Sequence, residues 1–304
     1  MKKASIVFLA AVVFLAAGLI PPGIAAAEDK TITIGGKNFT EQYLLPELAR
    51  LLLEKEGFKV NLRTGVSTVI ARQSLEAGQI DMYYEYTGTA YTVFHKQDDT
   101  GIMISPEKVY RWVRDKDAKK NLVWLDPLPL DNTYTIMMRR ADAAKAKIRT
   151  ISDFGRYVEK NPGKLTFALE SEFWERPDGF KRLMVVYGFR MSPADVKRMD
   201  MGLTYLALKE GQVGSAMGFA TDGRIQAFNL LTLEDNKRFF PVYNPAPVVI
   251  RKTLEKYPEI AGILKPLSEK LDNEAMRILN ASVDVEHMSV SAAAEKWLKD
   301  AGLR

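Results

Sequence analysis

From Lys30 onward the chain alternates short β-branched runs with amphipathic stretches of helical period. Residues 31–34 read as a strand ended by Gly35-Gly36, and Thr40-Glu41-Gln42 opens a helix with Leu44, Leu45, Leu48, Leu51 and Leu52 on one face. Gly57 stops that helix, and residues 58–62 alternate as a second strand. Residues 67–77 form another helix closed by Gly78, and a strand from Ile80 runs to Tyr86, where Thr87-Gly88-Thr89 reads as a turn. This βαβαβ order predicts a parallel α/β sheet. Ligands lie beyond the carboxyl ends of strands in such sheets, which makes Gly36-Lys37-Asn38 and Tyr86-Thr87-Gly88-Thr89 expected neighbours.

Further along, a basic helix over 105–120 and a strand over 122–125 lead into the proline-rich residues 126–131, then a β-rich run over 132–138. Helices over 177–187 and 203–210 and strands over 164–168 and 213–217 repeat the alternation, with a further helix starting at Ser152. Prolines again adjoin a β-rich run over 239–250, and residues 252–304 read as mainly helical. The pattern predicts two α/β lobes joined by two crossings, the first made of 28–133 with 243–304 and the second of 134–242. No repeat of solenoid or propeller period is present.

The N-terminus adds a compartment. Met1-Lys2-Lys3, an apolar run over 6–20 and Ala25-Ala26-Ala27 before Glu28 read as a cleavable signal peptide over 1–27. The apolar run is shorter than the ~20 residues of a spanning helix, and Pro21-Pro22-Gly23 breaks it. The chain has no cysteine, hence neither a disulfide framework nor a lipid-modifiable thiol. A periplasmic location, a monomer and no membrane insertion of the mature chain are expected. Loss of Lys2 and Lys3 lowers the formal charge from +5 to +3, too mild to imply nucleic acid. There is no Gly-x-Ser-x-Gly elbow, phosphate loop or dinucleotide fingerprint, and His95 and His287 are too few and too far apart for a metal site or triad. Glu170, Glu172 and Asp178 read as acids suited to a helix N-terminus. Neither catalysis nor a cofactor is expected.

The densest chemistry is Asp81-Met82-Tyr83-Tyr84-Glu85-Tyr86-Thr87-Gly88-Thr89. Strand alternation cannot aim all three of its tyrosines at one cleft.

Gly36-Lys37-Asn38-Phe39-Thr40-Glu41-Gln42, Tyr84-Glu85-Tyr86-Thr87-Gly88-Thr89, Asn132-Thr133-Tyr134, Glu172-Phe173 with Arg176-Pro177-Asp178-Gly179, Leu203-Thr204-Tyr205 with Ala207-Leu208, and Thr221-Asp222-Gly223-Arg224-Ile225 together resemble the periplasmic substrate-binding proteins of osmoprotectant ABC importers. The resemblance spans nearly the whole chain after residue 30. It implies a two-lobed type II binding protein that delivers a small zwitterion to a permease driven by an ATPase. A quaternary ammonium has no N–H to donate, so only electron-rich ring faces and diffuse charge recognise it. By similarity, Tyr86, Tyr134 and Tyr243 wall an aromatic box, and Tyr83 and Tyr84 are left as packing and support. The fourth wall, commonly a tyrosine in the family, is here Phe219, which keeps the ring face and loses the hydroxyl. Lys37, Thr89 and Arg176 match the positions that hold a betaine's carboxylate, the arginine by its planar fork. Asn132 is a polar lining residue, Glu85 a partner orienting Lys37 or a ring hydroxyl, and Asp222 a helix cap. Glycine betaine leads among the expected ligands. A choline-preferring protein, an amino acid or ectoine binder, and a transferase-like enzyme on the same frame are the alternatives.

Overall fold

The computed structural model describes residues 30–304, so the signal-peptide reading of 1–27 lies outside the described residues. Ten strands are present among them: β1 (Thr31–Lys37), β2 (Lys59–Val66), β3 (Met82–Tyr86), β4 (Leu122–Trp124), β5 (Tyr134–Arg139), β6 (Phe167–Leu169), β7 (Val196–Arg198), β8 (Ser215–Phe219), β9 (Leu230–Thr232) and β10 (Pro245–Ile250). They form two five-stranded sheets, ordered β2-β1-β3-β10-β4 and β7-β6-β8-β5-β9. The chain leaves the first sheet after β4 and returns to it at β10, so two segments cross between the lobes.

The sheets are mixed rather than wholly parallel. β1 runs parallel to β2 and β3, but β10 is antiparallel to β3 and β4, and β5 is antiparallel to β8 and β9. Both reversed strands are the ones entered directly from the other lobe. Such a strand starts at the cleft, where its neighbours end, and must run away from it. Its register therefore sets β10's Pro245 opposite Tyr86 and β5's Tyr134 opposite Phe219. Short-range periodicity carries no trace of this reversal, yet it assembles the cleft.

Helix α1 (Glu41–Lys55) lays Leu44, Leu45, Leu48 and Leu52 against Ile32, Ile34, Met82 and Tyr84. Each such buried leucine contributes roughly 1.5–3 kcal/mol relative to exposure. Thr40 does not cap it: its backbone is helical and its hydroxyl donates to Asp284 Oδ1 at 2.7 Å. Gly36 lets the end of β1 press on this helix start, since a Cβ there would meet Gln42 O at 2.4 Å. On the opposite sheet face, Tyr83 joins Leu75, Val113 and Trp124. Helix α2 (Thr68–Glu76) follows β2 and is capped by Ser67.

Thr87-Gly88-Thr89 is the first turn of a helical segment that continues to Phe94 rather than a reverse turn. The return crossing presses on it, and a Cβ on Gly88 would meet Val242 O at 2.7 Å. His95 is half-buried and paired. Its Nε2 lies 2.9 Å from Asp117, which Arg72 grips with two bonds of 2.8 and 2.6 Å and Trp124 Nε1 reaches at 2.8 Å.

The two crossings are bonded side by side. Asn132 N donates to Tyr243 O at 3.1 Å, Tyr243 N to Asp131 Oδ1 at 2.8 Å, and Asn244 Nδ2 to Leu130 O at 2.6 Å. Burial pushes the Asp131 carboxyl up to about 6, only partly offset by the Tyr243 amide. The folded state thus holds this proton more tightly than the unfolded chain, and its charged form costs stability above about pH 6. Asp131→Asn is expected to raise the unfolding free energy measured in urea at pH 8 by up to about 3 kcal/mol. The gain should fade through pH 6 and vanish below pH 4. An equal gain at pH 4 and pH 8 would show that charge is not the cause.

Candidate ligand-binding site

The cleft collects aromatic rings from both lobes. Tyr86 ends β3, Tyr134 opens β5, Phe219 ends β8 and Tyr243 lies on the return crossing just before β10. Tyr134 is the hub: its ring centroid lies 5.1 Å from Phe219 and 5.5 Å from Tyr243, the latter edge-on at 90°. Phe39, in the loop after β1, stands 5.0 Å from Phe219 and 6.2 Å from Tyr86, and closes the ring of walls. These faces already attract cations of the protein itself. Lys37 Nζ lies 4.9 Å from the Tyr86 centroid and the Arg176 guanidinium 5.3 Å from that of Tyr134.

Both cations are buried and paired. Lys37 Nζ donates to Glu85 Oε1 at 2.6 Å, and Glu85 Oε2 accepts from Tyr83 OH at 2.6 Å. Tyr83 thus supports the site through Glu85. The Arg176 fork does not stand free for a carboxylate. Its Nε and Nη2 each donate to Asp178 at 2.7 Å, Nη2 also reaches Thr89 Oγ1 at 3.2 Å, and Nη1 reaches Glu172 at 3.3 Å. Asp178 also accepts from Thr92 Oγ1 at 2.8 Å and from Tyr243 OH at 2.6 Å. Burial alone would raise the Asp178 carboxyl, but Arg176 and these hydroxyls hold it below the usual carboxylate range. These bonds join Arg176 and Asp178, which follow β6 of the second sheet, to Thr89 and Thr92, which follow β3 of the first, and to Tyr243 on the return crossing.

A second polar group lies behind Phe39. Glu41, 2% exposed, accepts from Tyr86 OH at 2.7 Å, Asn132 Nδ2 at 3.0 Å and Thr221 Oγ1 at 2.6 Å. Burial raises its carboxyl against the lowering effect of these bonds. Asp222 accepts from Arg224 N at 2.9 Å, as a helix-start acid should, and also binds the Arg224 guanidinium.

Lys37, Tyr86, Thr89, Asn132, Tyr134, Arg176, Phe219 and Tyr243 all line one small cavity of about 30 Å³, and Phe39 and Thr68 complete it. The chain matches the family model described as the substrate binding domain of ABC-type glycine betaine transport system over residues 30–300. It belongs to this family. It is 38% identical over 289 residues to the glycine-betaine-binding protein of Pseudomonas aeruginosa, covering 93% of this chain and 91% of that protein. It is 33% identical over 281 residues to the glycine betaine-binding protein YehZ of Escherichia coli, covering 89% and 90%. The structure of apo YehZ superposes with a TM-score of 0.67 over 91% of this chain and all of that one. A glycine betaine/carnitine/choline ABC transporter structure, 27% identical, gives 0.72 over 90% of this chain and 99% of that one.

The protein is therefore the substrate-binding component of an ABC importer of the glycine betaine/carnitine family, with the type II two-lobed fold, and not an enzyme. No helix among the described residues is long and apolar enough to cross a membrane.

The sequence reading passed over Phe39, Thr68, Glu41 and the role of Asp178. Phe39 sits inside a recognised segment, and an aromatic two residues after Lys37 was signal enough. Asp178 follows Arg176 by two residues, and the intervening Pro177 turns the chain so that the fork closes on it. Asp178 is thus a partner of Arg176 rather than a helix-dipole acid, and Glu172 reaches both Arg176 and, at 3.4 Å, the amide of Thr68 in the first lobe. Glu170 does stand at the N-cap of the helix Ser171–Glu175.

Proposed function

We propose that this protein captures glycine betaine, with the trimethylammonium among Tyr86, Tyr134, Phe219, Tyr243 and Phe39 and the carboxylate at Lys37, Thr89 and Arg176. The observation that carries the reading is the convergence of rings and buried cations from both lobes on one cavity. A desolvated cation over a ring face gains about 2 kcal/mol or more, so several faces supply a usable affinity. Because Asp178 occupies the Nε and Nη2 edge of Arg176 and one N–H of Nη1 reaches Glu172, the ligand carboxylate is held by the other N–H of Nη1, the Lys37 ammonium and Thr89 rather than by a two-pronged fork. A carboxylate there touches both lobes and favours closure. The lobes are 28–133 with 243–304 and 134–242, the location is the periplasm, and the mature chain acts as a monomer that hands the solute to its permease and ATPase.

Calorimetric titration with glycine betaine and choline tests this reading. Betaine is expected to bind at least about tenfold more tightly, the worth of one charge-assisted contact. Equal or tighter choline binding would favour the second reading, a choline-preferring site, which the commitment of Arg176 to Asp178 supports.

A further inference from the structure

A second cavity of about 370 Å³ lies beside the first, and the ring contact of Phe39 with Phe219, at 5.0 Å between centroids, stands between the two. Its volume falls within the range of about 300–1,000 Å³ common for small-molecule sites. Five carboxylates line it. Glu41 opens α1 and Asp284 ends the helix Asn273–Asp284, which packs with α1 in the first core. Glu170 follows β6, Asp200 stands at the N-cap of the helix Met201–Lys209 and Asp222 follows β8, all around the second sheet. The lining guanidinium, Arg224, is already committed: it binds both oxygens of Asp222 at 2.9 and 2.6 Å and lies 3.2 Å from Asp284. Asn280, 3% exposed and also lining the cavity, donates to Thr221 O and leaves its Oδ1 without a hydrogen-bond partner, as is Asp284 Oδ2. Burial pushes the carboxyls of Glu41, Glu170 and Asp284 above the ordinary range. Among the described residues no three such side chains converge closely enough to hold a metal ion, so the negative charge is spread along the cavity rather than gathered at a point.

We propose that this cavity is a second ligand site, separate from the betaine cavity, for a short aliphatic diamine in its doubly protonated form, and that its occupation favours closure of the lobes. Two ammonium groups held apart by a carbon chain match carboxylates that are spread along a cavity, and each ammonium donates three hydrogen bonds. One end meets Asp200, exposed at the rim, and the half-buried Glu170, both outside the Arg224 pairing. The other end reaches the unpartnered oxygens of Asn280 and Asp284. Closing the cleft draws Glu41 and Asp284 up to Glu170, Asp200 and Asp222. Like charges brought together oppose closure, and a dication between them relieves that repulsion. Diamine and glycine betaine are then bound with positive coupling, each tightening the other by the same factor. The diamine site stands without the betaine reading, whereas the coupling rests on it.

Calorimetric titration with 1,4-diaminobutane, with and without saturating glycine betaine, tests the proposal. One equivalent is expected to bind, at least about fivefold more tightly when betaine is present, and sodium chloride at equal ionic strength should not reproduce the tightening. In Asp200→Asn/Glu170→Gln the diamine should bind at least about tenfold more weakly, while betaine alone binds no more weakly than to the parent, which a damaged fold would not allow. Absence of saturable diamine binding to the betaine-loaded protein overturns the inference and leaves the betaine reading intact. Sodium chloride acting as well as the diamine does the same, because the effect is then screening alone. A diamine that competes with betaine occupies the aromatic cavity and overturns the separate site. Undiminished diamine binding by the double variant overturns the assignment to these carboxylates. Saturable diamine binding by a protein that does not bind betaine supports the site, while overturning the betaine reading and the coupling.

Discussion

Arg176→Ala is expected to weaken glycine betaine binding by about a hundredfold and choline binding far less, because the lost contacts are charge-assisted bonds to a carboxylate that choline lacks. Paired titrations of the two ligands measure the difference. The substitution also strips Asp178 of its partner in a fully enclosed setting, where Arg176 is 7% and Asp178 4% exposed. Removing one member of a buried ion pair costs roughly 3–5 kcal/mol, so part of any loss would be structural. The double variant Arg176→Met/Asp178→Asn separates the two effects, since it leaves no orphan charge and keeps acceptors for Thr92 and Tyr243. If the double variant regains stability but not betaine affinity, the guanidinium is the ligand's partner. If it regains both, Arg176 serves the lobe interface alone.

Lys37→Met should cost stability on the same scale as Arg176→Ala. Glu85 is 0% exposed and receives three bonds: the Lys37 ammonium at 2.6 Å, Tyr83 OH at 2.6 Å and Tyr86 N at 2.7 Å. Without the ammonium the carboxylate keeps two neutral donors and no counter-charge, at a cost of roughly 3–5 kcal/mol. Urea unfolding measures it, and Lys37→Met/Glu85→Gln should recover most of the loss. A single variant as stable as the parent would mean that Glu85 is adequately solvated by other means. The double variant, refolded but lacking Lys37, is expected to bind betaine more weakly than the parent, which assigns the lysine a part in ligand capture beyond its part in the fold.

Tyr83, Tyr84 and Tyr86 show how far reading the chain residue by residue reaches. Alternation along a strand separates Tyr83 from Tyr84, which enter the cores on opposite faces of the first sheet; Tyr86 shares Tyr84's parity and is set apart only by its place as the last residue of β3, at the cleft. The same local logic placed α1, α2 and most strands within a few residues, because apolar spacing and glycine ends act over one or two turns. It failed at Thr87-Gly88-Thr89, which is helical because the return crossing packs on Gly88 from more than a hundred residues away. It also failed at Asp178, where an acid beside a helix start looks like a dipole partner until the turn at Pro177 brings the Arg176 fork onto it.

What the sequence alone determined is the inventory: two α/β units, two proline-marked crossings, no catalytic motif, and six ordered segments carrying rings, a lysine and an arginine. These depend on composition and on spacing within a single element, which the chain displays directly. The tertiary structure decided the relations among them. The antiparallel entry of β5 and β10 sets Tyr134 beside Phe219 and the return crossing beside Tyr86. Phe39 closes the wall, Glu85 and Asp178 claim the two cations, and Glu41 with its neighbouring carboxylates makes a second cavity of opposite sign. Each of these is a contact between residues far apart in the chain. Hydrogen-bonding and charge partners at such separations are chosen by packing and burial, for which no local pattern exists.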